Sequence, residues 1–187
     1  MRYTRRAPKM HQDFAHLAAI HSRESFVSQF PDPFLVGEAA LRERMRKGRM
    51  PAFDSGNTFN GDEQMLALAG EGQRLVLPVR KIQPTFESMI TVGRTKNNDV
   101  VIADVAISKF HAFFRIVDKH YELADAGSQN GTRVTQGAVG NAARSIDRLL
   151  EPKGPAVRIH SGDVIRFAEL RFRFLDSAAC WDELGTH

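Results

Sequence analysis

The sequence predicts an all-β protein, an antiparallel β-sandwich of about 10–11 short strands, preceded by an N-terminal helical extension. Two observations predict it. From Leu75 onward apolar and polar residues alternate with period two, and the short apolar runs are separated by Gly, Asn, Asp and Ser at turn positions; before residue 64 the apolar spacing is helical instead.

The chain has 187 residues, 42% hydrophobic and 26% charged, with thirteen Phe, which suits one well-buried core plus an appendage. The formal net charge of +4 suits an anionic partner such as a phosphopeptide, a nucleic acid or a lipid surface, and does not choose among them. The excess is not concentrated: ten basic residues face eight acidic ones up to Glu63, and sixteen face fourteen after it. The single cysteine, Cys180, excludes an internal disulfide or a Cys-based zinc cluster within one chain. Apolar runs are all shorter than the ~20 residues of a membrane span, and the basic start meets Gln12 and Asp13 instead of an apolar stretch. A cytoplasmic protein without membrane contact is expected.

Taken in order, residues 1–9 carry Arg2, Arg5, Arg6 and Lys9 without apolar pattern and read as a solvated terminus. His11 to Phe30 lacks Gly and Pro, and Phe14, Leu17 and Ala18 fall at helical spacing before Pro31 and Pro33 stop the run, which predicts one helix. Phe34-Leu35-Val36 is a short apolar anchor. Glu38 to Lys47 predicts a second helix, with Leu41 and Met45 on one face and Gly48 to close it. The run Arg42, Arg44, Arg46, Lys47, Arg49 reads as a solvated helix face ahead of nucleic-acid contact. Residues 49–63 are rich in Pro, Gly, Asn and Asp and read as a linker, so residues 1–63 form the extension and 64–187 the β domain.

Within that domain Leu75, Leu77 and Val79 share one face, with Val76 and Arg80 on the other. Strands are expected at 86–92, 100–102, 111–117, 120–124, 132–135, 156–159, 164–168 and 170–175. Ser161-Gly162-Asp163 marks a turn, and Leu170, Phe172 and Phe174 alternate with Arg171 and Arg173. Residues 136–155 exceed an ordinary connection and predict an inserted loop, with Asn141 capping a helix that carries Ala142, Ile146, Leu149 and Leu150. Residues 176–187 predict a short helix packing back through Cys180, Trp181 and Leu184.

Three polar clusters follow strand-like runs: Gly93-Arg94 with Thr95 to Asp99, Ser108-Lys109-Phe110-His111, and Gly127 to Thr132. A guanidinium, a hydroxyl and two side-chain amides offered from loops form a receptor for a tetrahedral dianion, since Arg supplies a charged planar fork and Ser, Asn and Gln add neutral donors. For Arg94 an ion pair with Asp99 or Asp104 competes with that role, and Asn130 before Gly131 also suits a plain tight turn with positive φ at the glycine.

Gly93-Arg94, Ser108-x-x-His111 and Asn130-Gly131-Thr132, in this order, resemble the motifs of the bacterial-type forkhead-associated (FHA) domain, a phosphothreonine-binding module. The resemblance spans roughly residues 65–178 and implies that Arg94 and Ser108 hold the phosphate while Lys109, Gln129 and Asn130 hold the peptide. It implies structural support from Gly93, His111 and Gly131, with His111 propping the loops from inside. Gln129 departs from the Thr or Ser common at its position.

No cofactor or metal is expected, and enzyme motifs are missing: there is no Gly-x-Ser-x-Gly, phosphate-binding Gly-rich loop or His-Glu-x-x-His. His11, His16 and His21 lie ~140° apart around a helix and do not converge on a metal. The expected function is a non-enzymatic reader of a threonine-phosphorylated protein, downstream of a Ser/Thr kinase. The alternative is an oligomerisation or docking subunit acting through its N-terminal helices, and Thr4 and Thr58 are candidate self-ligands.

Overall fold

A computed structural model describes residues 14–37, 74–137 and 145–185. The predicted helix at 38–47, the basic run from Arg42 to Arg49, the 49–63 linker, Asn141, Ala142, Thr4 and Thr58 lie outside the described residues. The elements are α1 (Phe14–Ile20), α2 (Arg23–Gln29), β1 (Phe34–Gly37), β2 (Leu75–Pro78), β3 (Ile90–Gly93), β4 (Val100–Val101), β5 (Ala112–Val117), β6 (His120–Asp125), β7 (Thr132–Gln136), β8 (Ile146–Leu149), β9 (Val157–Ile159), β10 (Val164–Phe167), β11 (Leu170–Leu175) and α3 (Ser177–Leu184).

The strands form two sheets, ordered β2-β1-β11-β10-β7-β8 and β4-β3-β5-β6-β9, and every described pairing is antiparallel except β3 with β4. Their inner faces share one core, in which Leu35, Val92, Phe114, Leu123, Val134, Ile165, Phe167 and Phe172 are all fully buried. The alternation of β11 is realised as read: Leu170, Phe172 and Phe174 are buried, while Arg171 and Arg173 are exposed.

A second apolar cluster lies on the outer face of the six-stranded sheet. Phe14, Ala18, Phe26 and Phe30 from the N-terminal helices meet Phe34 and Val36 of β1, Leu175, and Cys180 of α3. Phe14 sets its ring edge-on to Phe34 at 4.8 Å, and the indole of Trp181 donates to the His21 carbonyl at 3.1 Å. Burial pushes the Cys180 thiol up to about 12, as suits an inert packing residue.

Three expectations are corrected. The single helix over 11–30 is two, because Ser22 stands in extended conformation and caps α2 by accepting from the Ser25 N–H. The apolar anchor Phe34-Leu35-Val36, assigned to the extension, is a strand inside the sandwich: β1 pairs with β11 on one side and β2 on the other. Both of its faces are covered, so it shows no alternation in sequence. The helix read through Ile146, Leu149 and Leu150 is instead strand β8, laddered to β7 with Ile146 opposite Gln136 and Leu149 opposite Arg133. There the carboxylate of Asp147 accepts from Thr135 and Arg133 of β7 and from Arg166 of β10, cross-strand contacts that a helix would forgo.

Candidate functional site

Because β3 and β5 run antiparallel, as do β5 and β6, the end of β3, the start of β5 and the end of β6 coincide. The loops leaving those points bring together all eight residues singled out by motif. Gly93, Arg94, Ser108, Lys109, His111, Gln129, Asn130 and Gly131 stand in three loops laced by hydrogen bonds.

The first lacing joins the β3–β4 loop to Lys109. The Lys109 carbonyl accepts from Asn98 Nδ2 at 2.7 Å and Thr95 Oγ1 at 3.0 Å, and the Arg94 N–H donates to the Ser108 carbonyl at 3.0 Å. Gly93 is required by this approach: a Cβ there would stand 2.3 Å from the Lys109 carbonyl oxygen and 2.7 Å from Asn98 Nδ2. Close packing, not positive φ, excludes other residues. The loop's far side hangs on Asp99, buried and accepting from the Ile82, Gln83 and Thr91 N–H groups, the Thr91 hydroxyl and the Lys81 ammonium. Burial acts to raise the Asp99 pKa, but these donors outweigh it and hold the carboxyl below its usual value.

The second lacing passes through His111, which is fully buried and meets Phe167 edge-on. Its Nδ1 lies 3.1 Å from the Ser108 N–H and Nε2 lies 3.1 Å from the Gly131 carbonyl. Accepting at Nδ1 and donating at Nε2 defines one neutral tautomer. Burial lowers the His111 pKa, against the Gly131 bond and the Asp125 charge, which act to raise it.

The third lacing is the Gly127–Thr132 loop, wound around Asp125. Its Oδ1 accepts from the Gly127 and Ser128 N–H groups at 2.8 Å, and its Oδ2 from the Ser128 and Thr132 hydroxyls at 2.6 Å. Ser128 Oγ in turn accepts from Gly131 N–H, and Gly127 and Gly131 both hold positive φ. Burial again acts to raise the Asp125 pKa, while the four donors hold it low. Motif reading missed Asp125, Asp99 and Asn98. Asp125 had a local signal, since Asp before Ala-Gly-Ser is an Asx-turn pattern; Asp99 had none, because its partners lie on other segments, and Asn98 bonds locally to Thr95 but makes its inter-loop contact to Lys109, which no local pattern announces.

What these props present to solvent is a donor surface. Arg94 is exposed, and among the described residues its guanidinium has no hydrogen-bond or ion-pair partner. Neither expected competitor takes it: Asp99 pairs with Lys81, and Asp104 receives the Ala106 N–H. Ser108 Oγ accepts from the Gln129 N–H at 3.0 Å, which leaves its hydroxyl hydrogen for an outside acceptor. Asn130 gives one amide hydrogen to the Ala106 carbonyl at 2.8 Å and keeps the rest of its amide outward. The side chains of Lys109 and Gln129 are exposed at the rim.

A family model described as the FHA domain matches residues 90–168. The Oxoglutarate dehydrogenase inhibitor of Corynebacterium efficiens is 30% identical over 142 residues, covering 74% of this chain and 84% of that protein. Glycogen accumulation regulator GarA of Mycobacterium tuberculosis is 29% identical over 89 residues, and the chain spans 46% of its length. The solution structure of an FHA domain from an Arabidopsis thaliana hypothetical protein aligns at 27% identity with a TM-score of 0.40, covering 57% of this chain and 75% of that one.

Proposed function

The chain belongs to the FHA-domain family, and from that premise we propose that it is a non-enzymatic phosphothreonine-peptide-binding module, coupling a Ser/Thr kinase to protein assembly. One observation carries this reading: the exposed guanidinium of Arg94 and the free hydroxyl hydrogen of Ser108 project from loops that are held in place by hydrogen bonds to one another. A tetrahedral dianion supplies the acceptors that such a surface lacks.

In this reading Arg94 and Ser108 hold the phosphate, Lys109 adds charge at the rim, and Gln129 and Asn130 hold the peptide backbone. Gly93, His111 and Gly131 act through these residues by fixing the loops. His111 has both ring nitrogens committed to backbone partners and is buried, which suits a scaffold and not proton transfer to a ligand. The names of the two relatives, an inhibitor and a regulator, suit control by binding.

Titration calorimetry with a threonine-phosphorylated peptide and its unphosphorylated twin tests this. Binding in the micromolar range, ~8 kcal/mol, is expected for the first alone, and Arg94→Ala abolishes it. Equal affinity for both peptides overturns the reading.

A further inference from the structure

Beside the candidate site lies an aromatic ladder that belongs to neither buried apolar cluster. Phe86 and Phe110 stack with ring centroids 5.9 Å apart and planes 7° from parallel, and Phe110 stacks on Phe113 at 6.2 Å. The Arg115 guanidinium lies 4.8 Å from the Phe113 ring centroid and caps that end. These rings are not core: Phe86 is 56% exposed and Phe110 37%.

Phe86 also stands at φ +57°, the left-handed region that bulky residues rarely adopt. Glycine or asparagine would sit there without that strain. The strained backbone delivers a ring to the surface, in parallel with Phe110, where water covers more than half of it. Asp118, Lys119, Lys153 and Ala168 share that left-handed region, so it is the exposed, stacked ring and not the strain alone that points to a contact.

We infer that the Phe86–Phe110–Phe113 ladder is an apolar subsite for an aromatic side chain of the phosphopeptide, flanking the phosphothreonine. The inference rests on the phosphopeptide reading above and adds to it what the peptide must carry. Continuity with the candidate site supports this occupant. Phe110 is two residues from Ser108, so their Cα atoms stand within ~7 Å, and an extended peptide advances ~3.3 Å per residue. A side chain about two or three positions from the phosphothreonine therefore reaches the ladder. Lys81, Ile82 and Gln83, which begin the segment bearing Phe86, are tied to Asp99 in the Arg94 loop, so that segment is anchored to the site's own loops.

The test is fluorescence anisotropy with a labelled phosphothreonine peptide of Ala and Ser background, in which Phe is placed singly at each flanking position. The full chain should prefer Phe over Ala by about fivefold at positions on one side of the phosphothreonine. Phe86→Asn, which keeps the left-handed backbone, and Phe110→Ser should each remove the preference while leaving affinity for the Ala-background peptide within about twofold. Arg94→Ala should abolish binding of every peptide. No positional preference in the wild type, or a preference that survives both substitutions, overturns the inference while the phosphopeptide reading stands. A change in oligomeric state on Phe86→Asn without a change in peptide preference assigns the ladder to a second copy and likewise overturns it. Absence of phosphopeptide binding by the wild type overturns both.

Discussion

The backbone N–H of Gln129 is bonded to the side-chain oxygen of Ser108 at 3.0 Å, so the hydroxyl of one loop anchors the next. Ser108→Ala therefore removes two things, the hydroxyl donor proposed to meet the phosphate and the acceptor for Gln129. A hydrogen bond to a charged group contributes about 1.5–3 kcal/mol, so the phosphopeptide Kd should rise at least tenfold by calorimetry. Ser108 is half-buried and its hydroxyl makes one described bond, so the melting temperature should move little. A Kd within about twofold of wild type would remove Ser108 from the phosphate contact.

Gly93→Ala tests the close approach of the Lys109 carbonyl. The added methyl would meet that oxygen at 2.3 Å, and since the oxygen is backbone the loop must move. Overpacking of this kind costs about 1–3 kcal/mol, read as a lower urea midpoint, together with weaker phosphopeptide binding because the Arg94 loop shifts. Gly137→Ala, where an added Cβ meets nothing within 4 Å, is the control and should leave both unchanged.

Acid should weaken the fold in two stages. The His111 pKa is lowered from 6.5, so between its folded value and 6.5 the unfolded chain binds more protons; its contribution is full above pH 6.5 and is lost as pH falls through the folded value. Asp99 and Asp125 are lowered from 3.8, so their contributions are full above that pH and are lost as pH falls further. Urea unfolding measured across pH should show stability declining below 6.5 and again below 3.8. In His111→Gln the first decline should vanish, whatever that variant's overall stability. A wild-type curve flat through the first window would show that His111 does not titrate with folding.

The sandwich was legible where one strand face met the core and the other met water, as in β11 with its Phe and Arg alternation. That the three motif loops would converge was legible because their residues fall in short motifs at neighbouring strand ends. Elements whose identity depends on distant partners were not. β1 is four apolar residues buried on both faces, so nothing in Phe34-Leu35-Val36-Gly37 says which sheet will take it. β8 carries Ile146 and Leu149 at a helical interval, yet both are exposed, and pairing with β7 decides its conformation. The same holds for Asp99, whose buried carboxylate matters through donors from residues 81–83 and 91, whereas most donors to Asp125 lie within three residues of it.

The place of β1 gives a final prediction. Leu35 is fully buried in the shared core and Phe34, 1% exposed, is packed beneath α1 and α2, while the candidate loops lie at the ends of β3, β5 and β6. Leu35→Ala should cost about 2–5 kcal/mol of global stability, a large part of the ~5–15 kcal/mol that a domain has. Phosphopeptide affinity, measured where the variant remains folded, should stay within about twofold of wild type. A chain beginning at residue 64 loses more: β11 and β2 lose the strand between them, and Leu175 and Cys180 lose Phe14, Phe26, Phe30 and Phe34. That shorter chain should show no cooperative melting transition in circular dichroism. A sharp transition near the full chain's would mean that the helices and β1 are dispensable additions, in spite of where they pack.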